Sequence, residues 1–374
     1  MKKLGLIVNP IAGMGGRCGL KGTDGVEILE RARSLGGVPE APDRAVTALR
    51  QMAHLKDLIE VVTVSGDMGE TEARTAGFEP VVLLSTAGDA TSSVDTRRAA
   101  EEMAAAGVDL LLFAGGDGTA RDVYASVGDQ QTCLGIPAGC KIHSGVYGVN
   151  PRNAGELAAL FLSGKVSKTK TAEVMDIDEE AFRQGRVSAE LYGYLRVPQD
   201  EARVQGGKAG RVNSDESALD AIAYYLGDNM DPDTLYVLGT GSTVQGVEKR
   251  LGIEGSLLGV DISRGRQLMA ADVNERQILE LLTSNSEVPA KIVVTVIGGQ
   301  GYIFGRGNQQ ISREVIRRVG RENVIVVATK NKLAALGGRP LLVDTGSEET
   351  NSLLAGYVRV TVGYDEQVVM RVAS

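Results

Sequence analysis

The stretch "LLFAGGDGTARDVY", residues 111–124, decides how the chain is read. An apolar run leads into Gly115-Gly116-Asp117-Gly118-Thr119 and then into residues of helical character. Gly115 and Gly116 permit a sharp turn, and Gly118 lets the backbone approach a ligand closely. Thr119 is placed to cap a helix expected over 119–127. Free N–H groups and the dipole at such a helix start favour a phosphate. Asp117 is the odd member, because a carboxylate repels phosphate unless a metal or a transferable proton lies between them. It could orient Mg²⁺, or act as general base toward a hydroxyl attacking a γ-phosphoryl group. On spacing alone, an aspartate that only shapes an Asp-Gly turn explains the residue equally well.

The same alternation extends on both sides. "LGLIVNP", "IEVVTVS", "PVVLLS" and "TCLGIPAG" read as strands, separated by helical stretches at 25–35, 41–56, 95–106 and 153–163. Asp95 and Asn153 stand at the starts of the last two helices, and Gly107 and Gly164 at their ends. Near-continuous apolar strands between helices imply a Rossmann-like parallel sheet covered on both faces. A polar, lysine-rich stretch at 164–172 marks a boundary, giving a nucleotide-binding domain over 1–168. The residues after it alternate like antiparallel strands, and 204–217 reads as a mobile loop. From "TLYVLGTGST" onward the strand–helix alternation returns. The expectation is a second domain over 169–345, α/β to β-rich, and a hairpin-like tail over 346–374.

Composition limits the function. A chain of 374 residues exceeds one compact core, and 43% apolar residues suffice for two. A net charge of −8 argues against a general nucleic-acid or acidic-membrane surface. An anionic substrate then needs a local basic or amide-rich pocket. Cys18, Cys133 and Cys140 are scattered thiols that fit a reducing compartment. With only His54 and His143 beside them, no zinc spacing arises. The N-terminal apolar run is too short for a signal peptide, and no run approaches the ~18 residues of a membrane span. A soluble, cytoplasmic protein is expected.

The 48 glycines cluster after apolar runs. Three further loops share this usage. In "VNPIAGMGGR", residues 8–17, Asn9 precedes Gly13, Gly15 and Gly16; a plain strand-to-helix turn is the alternative reading. In "LGTGSTVQGV", residues 238–247, Thr240, Gly241, Ser242 and Thr243 open a helix and suit phosphate oxygens, or form a cap with no ligand. In "VIGGQGYIFGRGNQQIS", residues 296–312, Arg306, Asn308 and Gln309 add donors for a ligand or a subunit contact. Between these loops, Lys141 lies in an apolar, glycine-rich setting that suits a phosphate-facing lysine. His143 is isolated, and there a structural histidine competes with a catalytic one. Cys140 reads as a packing residue.

These loops, in this order, resemble the ATP-NAD kinase family within the NAD kinase and diacylglycerol kinase superfamily. Gly-Gly-Asp-Gly-Thr at 115–119 is the superfamily's hallmark, and Thr-Gly-Ser-Thr at 240–243 is similar to the second NAD kinase motif. "GIPAGCK", "AEVMDIDEEAFR" and "LLGVDI" resemble a branch that includes the protein encoded beside acetoin catabolism enzymes. The resemblance implies an NAD kinase-like fold with its site in the crevice between two domains, and a tail that returns to the first. It implies an ATP site from Asn9, Gly115, Gly116, Gly118, Thr119 and Thr240 to Thr243. In that site Asp117 activates the acceptor hydroxyl and Mg²⁺ rides on the phosphates. NAD kinases carry an Asn-Glu pair that grips NAD. Here Asp176, Asp178 and Glu179 are the nearest candidates for acceptor hydroxyls, with an exposed acidic turn as the alternative. The implied protein is an ATP-dependent kinase, best matched to the NAD 2′-OH, with small nucleotides as substrates and homo-oligomeric assembly. A kinase for a different hydroxyl (nucleoside, sugar or lipid) and a non-catalytic nucleotide-binding regulator are the rivals.

Overall fold

The computed structural model describes residues 1–20, 26–85, 91–139, 142–177, 189–200, 204 and 216–374. The predicted positions Lys141, Asp178 and Glu179, with Cys140, lie outside the described residues, as does most of the 204–217 stretch. The chain forms two compact units: Met1–Gly15 with Gly22–Gly207, and Gly16–Lys21 with Lys208–Ser374.

In the first unit, β1 (Lys2–Val8), β2 (Ile59–Val64), β3 (Val81–Leu84), β4 (Leu110–Gly115) and β5 (Cys133–Pro137) form one sheet in the order β3-β2-β1-β4-β5. Every pairing is parallel, as the apolar runs predict. All six residues of β4 are buried. Around the sheet run α1 (Val26–Ser34), α2 (Ala41–Arg50), α3 (Glu70–Thr75), α4 (Ser93–Ala105), α5 (Asp117–Val127) and α6 (Pro151–Leu162). The chain leaves β1 toward β2 on one side and leaves β4 toward β5 on the other. The two departing loops diverge at the strand ends, where open α/β sheets bind ligands. Val8 pairs with Ala114, so Asn9 and Gly115 emerge side by side.

Helix starts differ in detail from the sequence reading. Ser92 caps α4, and Asp95 closes a capping box from the third helical position. Asn150 caps α6 by accepting the Asn153 N–H at 2.7 Å. Helix α5 begins at Asp117 with Gly116 as its cap, so Thr119 lies inside the first turn and does not cap it.

The antiparallel pair β6 (Thr169–Ile177) and β7 (Ala189–Pro198) corrects the expected boundary near 168. Its alternation buries Ala172, Val174, Leu195 and Val197 in the same core as β4 and β5, while Thr171, Glu173 and Tyr194 stay exposed. The hairpin therefore belongs to the first unit.

The second unit holds a nine-stranded sheet in the order β10-β9-β8-β11-β13-β15-β16-β14-β12. Its strands are β8 (Leu235–Leu238), β9 (Val260–Arg264), β10 (Gln267–Val273), β11 (Ala290–Thr295), β12 (Tyr302–Phe304), β13 (Val324–Val327), β14 (Leu341–Val343), β15 (Gly356–Gly363) and β16 (Glu366–Ala373). Strands β8, β11, β13 and β15 run parallel, β9 is antiparallel to both its neighbours, and β16 is antiparallel to β15 and parallel to β14. The helices are α7 (Glu216–Asn229), α8 (Ser242–Arg250), α9 (Glu275–Ser284), α10 (Arg313–Val319), α11 (Lys330–Ala334) and α12 (Glu348–Leu354). Period-two alternation sends Leu235, Val237, Ile292, Val294 and Val326 to one face, and Tyr236, Leu238, Val293 and Val327 to the other. The resemblance implies a tail over 346–374 that returns to the first domain. Instead β15 pairs with β13, and β16 with β15 and β14, burying Val360, Val362 and Val372 in the second unit. No helix among the described residues is long and apolar enough to cross a membrane.

Glu248 on α8 is 1% exposed, and neither carboxyl oxygen has a hydrogen-bond partner among the described residues. Burial first, and then the nearby Asp261 carboxylate, push its pKa from 4.5 to about 8. The folded chain keeps this proton where the unfolded chain loses it, so this group lowers stability as pH rises from about 4.5 to about 8. Glu248→Gln is expected to raise the melting temperature by ~5 °C at pH 8 and to leave it unchanged at pH 4. Melting curves across this range check it; a pH-independent difference between the two proteins would deny it.

Candidate functional site

The Gly-Gly-Asp-Gly-Thr turn is built largely by contacts within its own unit. A Cβ on Gly115 would meet Thr119 Oγ1 at 2.3 Å, and one on Gly116 would meet Gly139 Cα at 3.1 Å. Gly13, at φ +88°, lies where a Cβ would come within 2.5 Å of the Ala138 carbonyl. Three loops thus meet backbone to backbone, which only glycine allows. Gly115→Ala is expected to cost ~1–3 kcal/mol by forcing Thr119 aside. Urea unfolding measures this, and an unchanged midpoint would show a looser turn.

Asn9 and Thr119, both predicted for the ATP site, are joined directly. Asn9 Nδ2 donates to Thr119 Oγ1 at 3.0 Å, while Asn9 Oδ1 accepts the Ile11 N–H at 3.3 Å. The loops after β1 and β4 are locked together at the point where they diverge. The hydroxyl of the fully buried Tyr147 donates to the Gly116 carbonyl, and its ring meets Phe113 edge-on at 5.5 Å.

Asp117 is 6% exposed and stands at the first position of α5. Its Oδ2 accepts the His143 N–H at 2.7 Å. Its Oδ1 accepts the Ser144 N–H at 3.1 Å and lies 2.6 Å from Ser144 Oγ. The Ser144 hydroxyl also lies 2.9 Å from the Met175 carbonyl and accepts the Met175 N–H at 3.0 Å. Residues 143–144 therefore fix the carboxylate in one orientation. A carboxylate has about four lone-pair sites, so these three donors among the described residues leave one. His143 Nδ1 lies 3.4 Å from Oδ2, which places this isolated histidine beside the candidate catalytic group. The first-turn N–H groups of Asp117, Gly118 and Thr119 precede the first intrahelical bond, from the Ala120 N–H to the Gly116 carbonyl. They and the helix dipole leave a site that suits an anion.

Asp176 on β6 accepts from Arg121 at 2.7 Å, and Arg121 stands one turn along α5 from Asp117. The same guanidinium lies 5.6 Å from the Tyr192 ring. An acceptor candidate and the candidate catalytic residue are thus borne on adjoining elements of the first unit. Arg121, Ser144 and Tyr147 escape sequence reading. They lie outside the glycine motifs and are drawn in only by the packing of β6 and of the segment after β5. Glycine and proline flank that segment closely, and this was its only signal.

In the second unit, the loop after β8 is built in the same way. Gly239 donates its N–H to the Val293 carbonyl at 2.8 Å, and Gly241, at φ +111°, caps α8. Ser242 is exposed in the first turn and Thr243 is buried. The Thr240 hydroxyl donates to the Gly307 carbonyl at 3.0 Å, tying this loop to the glycine-rich loop at 296–312. That second loop is anchored from inside. Arg306, 3% exposed, pairs with Asp344 at 2.9 Å and lies 4.6 Å from the Tyr302 ring. Asn308 accepts the Gly305 N–H at 3.0 Å and donates to the Ile303 carbonyl at 2.9 Å. These described contacts hold the side chains of 296–312 within their own unit. No cluster of three or more His, Cys, Asp or Glu side chains that could hold a metal occurs among the described residues.

Fold and loops define an α/β protein of the glycine-loop, phosphate-handling class. Family models for the ATP-NAD kinase N-terminal and C-terminal domains match residues 4–166 and 231–372, and the chain belongs to the ATP-NAD kinase family. No curated protein matches it. Three solved structures from Bacillus anthracis str. Sterne, described as diacylglycerol kinases and two of them only provisionally, are similar to it. One is 21% identical, with 47% of this chain and 48% of that one covered and a TM-score of 0.24. The other two are 20% identical, with 47% and 46% covered and TM-scores of 0.23. The chain spans about half the length of these structures.

Proposed function

We propose that the protein is an ATP-dependent kinase that phosphorylates a hydroxyl of a small nucleotide, with the 2′-OH of NAD as acceptor and NADP as product. The observation that carries this reading is Asp117: a buried carboxylate at a helix start, at the switch point of a parallel sheet, fixed by three donors with one lone pair left. That lone pair accepts the acceptor's O–H. As the new O–P bond forms and the bond between the γ-phosphorus and the β,γ-bridging oxygen breaks, the proton passes to Asp117 and ADP departs. The N–H groups of Gly118 and Thr119 face the transferring phosphoryl group, and Asn9 holds Thr119 in place. Lys141 adds positive charge to the phosphates. Mg²⁺, when present, comes bound to ATP and neutralises its phosphates.

Asp176, with Asp178 and Glu179, takes the acceptor's hydroxyls in this proposal. Asp176→Ala is then expected to raise the KM for the acceptor at least ~10-fold, with the KM for ATP changed less than ~2-fold, since a hydrogen bond to a charged group contributes ~1.5–3 kcal/mol. Steady-state kinetics with each substrate varied measure this. Equal effects on both would make Asp176 only the partner of Arg121.

A further inference from the structure

Between the pair α7 and α8 and one face of the second sheet lies a cavity of about 280 Å³. Leu226, Leu238, Val247, Val293 and Ile325 form its walls. Lys291, Thr361, Asn229 and Gln367 also line it. Lys291 pairs in register with Tyr236, two residues before Val293, so its side chain shares the sheet face that Val293 and Leu238 cover. The lysine is half-buried on this face beside Val293 and Leu238. No ion pair or hydrogen bond reaches its ammonium among the described residues. An ammonium partly withdrawn from water without a partner is costly unless an anion completes it. Glu248, the other ionisable acid or base on the wall besides two tyrosines, keeps its proton to about pH 8 and so does not cancel that charge.

We infer that this cavity is a binding site for a small carboxylic acid with an apolar body, the carboxylate meeting Lys291 at the polar side and the body lying against the leucines and valines. The space equals roughly nine waters at ~30 Å³ each, which suits a ligand of about ten non-hydrogen atoms. Asn229 gives one amide hydrogen to the Tyr225 carbonyl at 2.8 Å and carries a second, and Gln367 is exposed, so these amides can add bonds to the carboxylate. The site stands apart from the kinase reading and does not depend on it.

Octanoate, 1-octanol and octylamine serve as probes on the purified protein, by calorimetry and by methyl-detected NMR. Octanoate is expected to bind saturably, at least ~10-fold more tightly than the alcohol, and the amine not at all. Lys291→Met, which keeps the length and removes the charge, is expected to lower octanoate affinity ~10-fold or more. Val247→Phe fills the cavity and is expected to abolish binding; if that variant fails to fold, intermolecular contacts from octanoate to the Leu226 and Val293 methyls locate the ligand instead. No saturable binding of octanoate, equal binding of the alcohol, or binding indifferent to Lys291→Met would each overturn the inference.

Discussion

Asp117→Asn is expected to lower phosphoryl transfer by ~10²–10⁴-fold, the range that a positioned general base contributes. It is also expected to destabilise the first unit. The carboxylate accepts only, from the His143 N–H, the Ser144 N–H and the Ser144 hydroxyl. An amide turns one of its oxygens into a donor and sets it against an N–H, which leaves a buried donor unsatisfied at ~1–3 kcal/mol. The two effects separate through Ser144→Ala, which loosens the carboxylate but leaves it in place. That variant should lose stability with at most ~10-fold loss of rate. If Ser144→Ala loses as much rate as Asp117→Asn, or if folded Asp117→Asn turns over like the parent, Asp117 is a structural acceptor and no base. ATP binding, followed by calorimetry, should survive both substitutions.

The second large effect is structural. Arg306 and Asp344 are 3% and 4% exposed and 2.9 Å apart, and Arg306 also donates to the Gly305 carbonyl at 3.2 Å. Asp344→Ala would strand a buried guanidinium and is expected to cost ~3–5 kcal/mol in the second unit. Replacing both partners together, Arg306→Met with Asp344→Leu, should recover most of that loss, because the cost lies in the unpaired charge and not in the pair's absence. Denaturant titration of the three proteins decides the matter; a single variant within ~1 kcal/mol of the parent would show that the guanidinium finds water. Because the Gly307 carbonyl takes the Thr240 hydroxyl, Asp344→Ala should also loosen the loop over 240–243.

Much of this was legible beforehand, for identifiable reasons. The buried parallel strands of the first unit announce themselves as unbroken apolar runs, and the two loops at its switch point as Asn9 and the 115–119 glycines. Other features depend on tertiary packing. The hairpin over 169–198 alternates cleanly, yet nothing local says whose core receives Val174 and Leu195. Helix α5 starts at Asp117 because Gly116 takes the cap, whereas the Asp-Gly pair reads as a turn. The donors that hold Asp117 come from 26 and 27 residues away, with no spacing to betray them. The glycines carried a mixed message. They read as room for a ligand, while Gly13, Gly115 and Gly116 are required by contacts inside the chain itself. The loop at 296–312 offers arginine and amides that look ready for a ligand, and the described contacts engage them with Asp344 and with the backbone of Ile303 and Gly305.

The account's central claim is that Asp117 serves phosphoryl transfer to a hydroxyl. The most direct measurement incubates the purified protein with Mg²⁺-ATP and a panel of NAD, NADH, nucleosides and sugars, and follows products by mass spectrometry. The account predicts that NAD gains one phosphoryl group while ADP forms in equal amount, and that Asp117→Asn yields neither. A protein that binds ATP yet phosphorylates no member of the panel would contradict it.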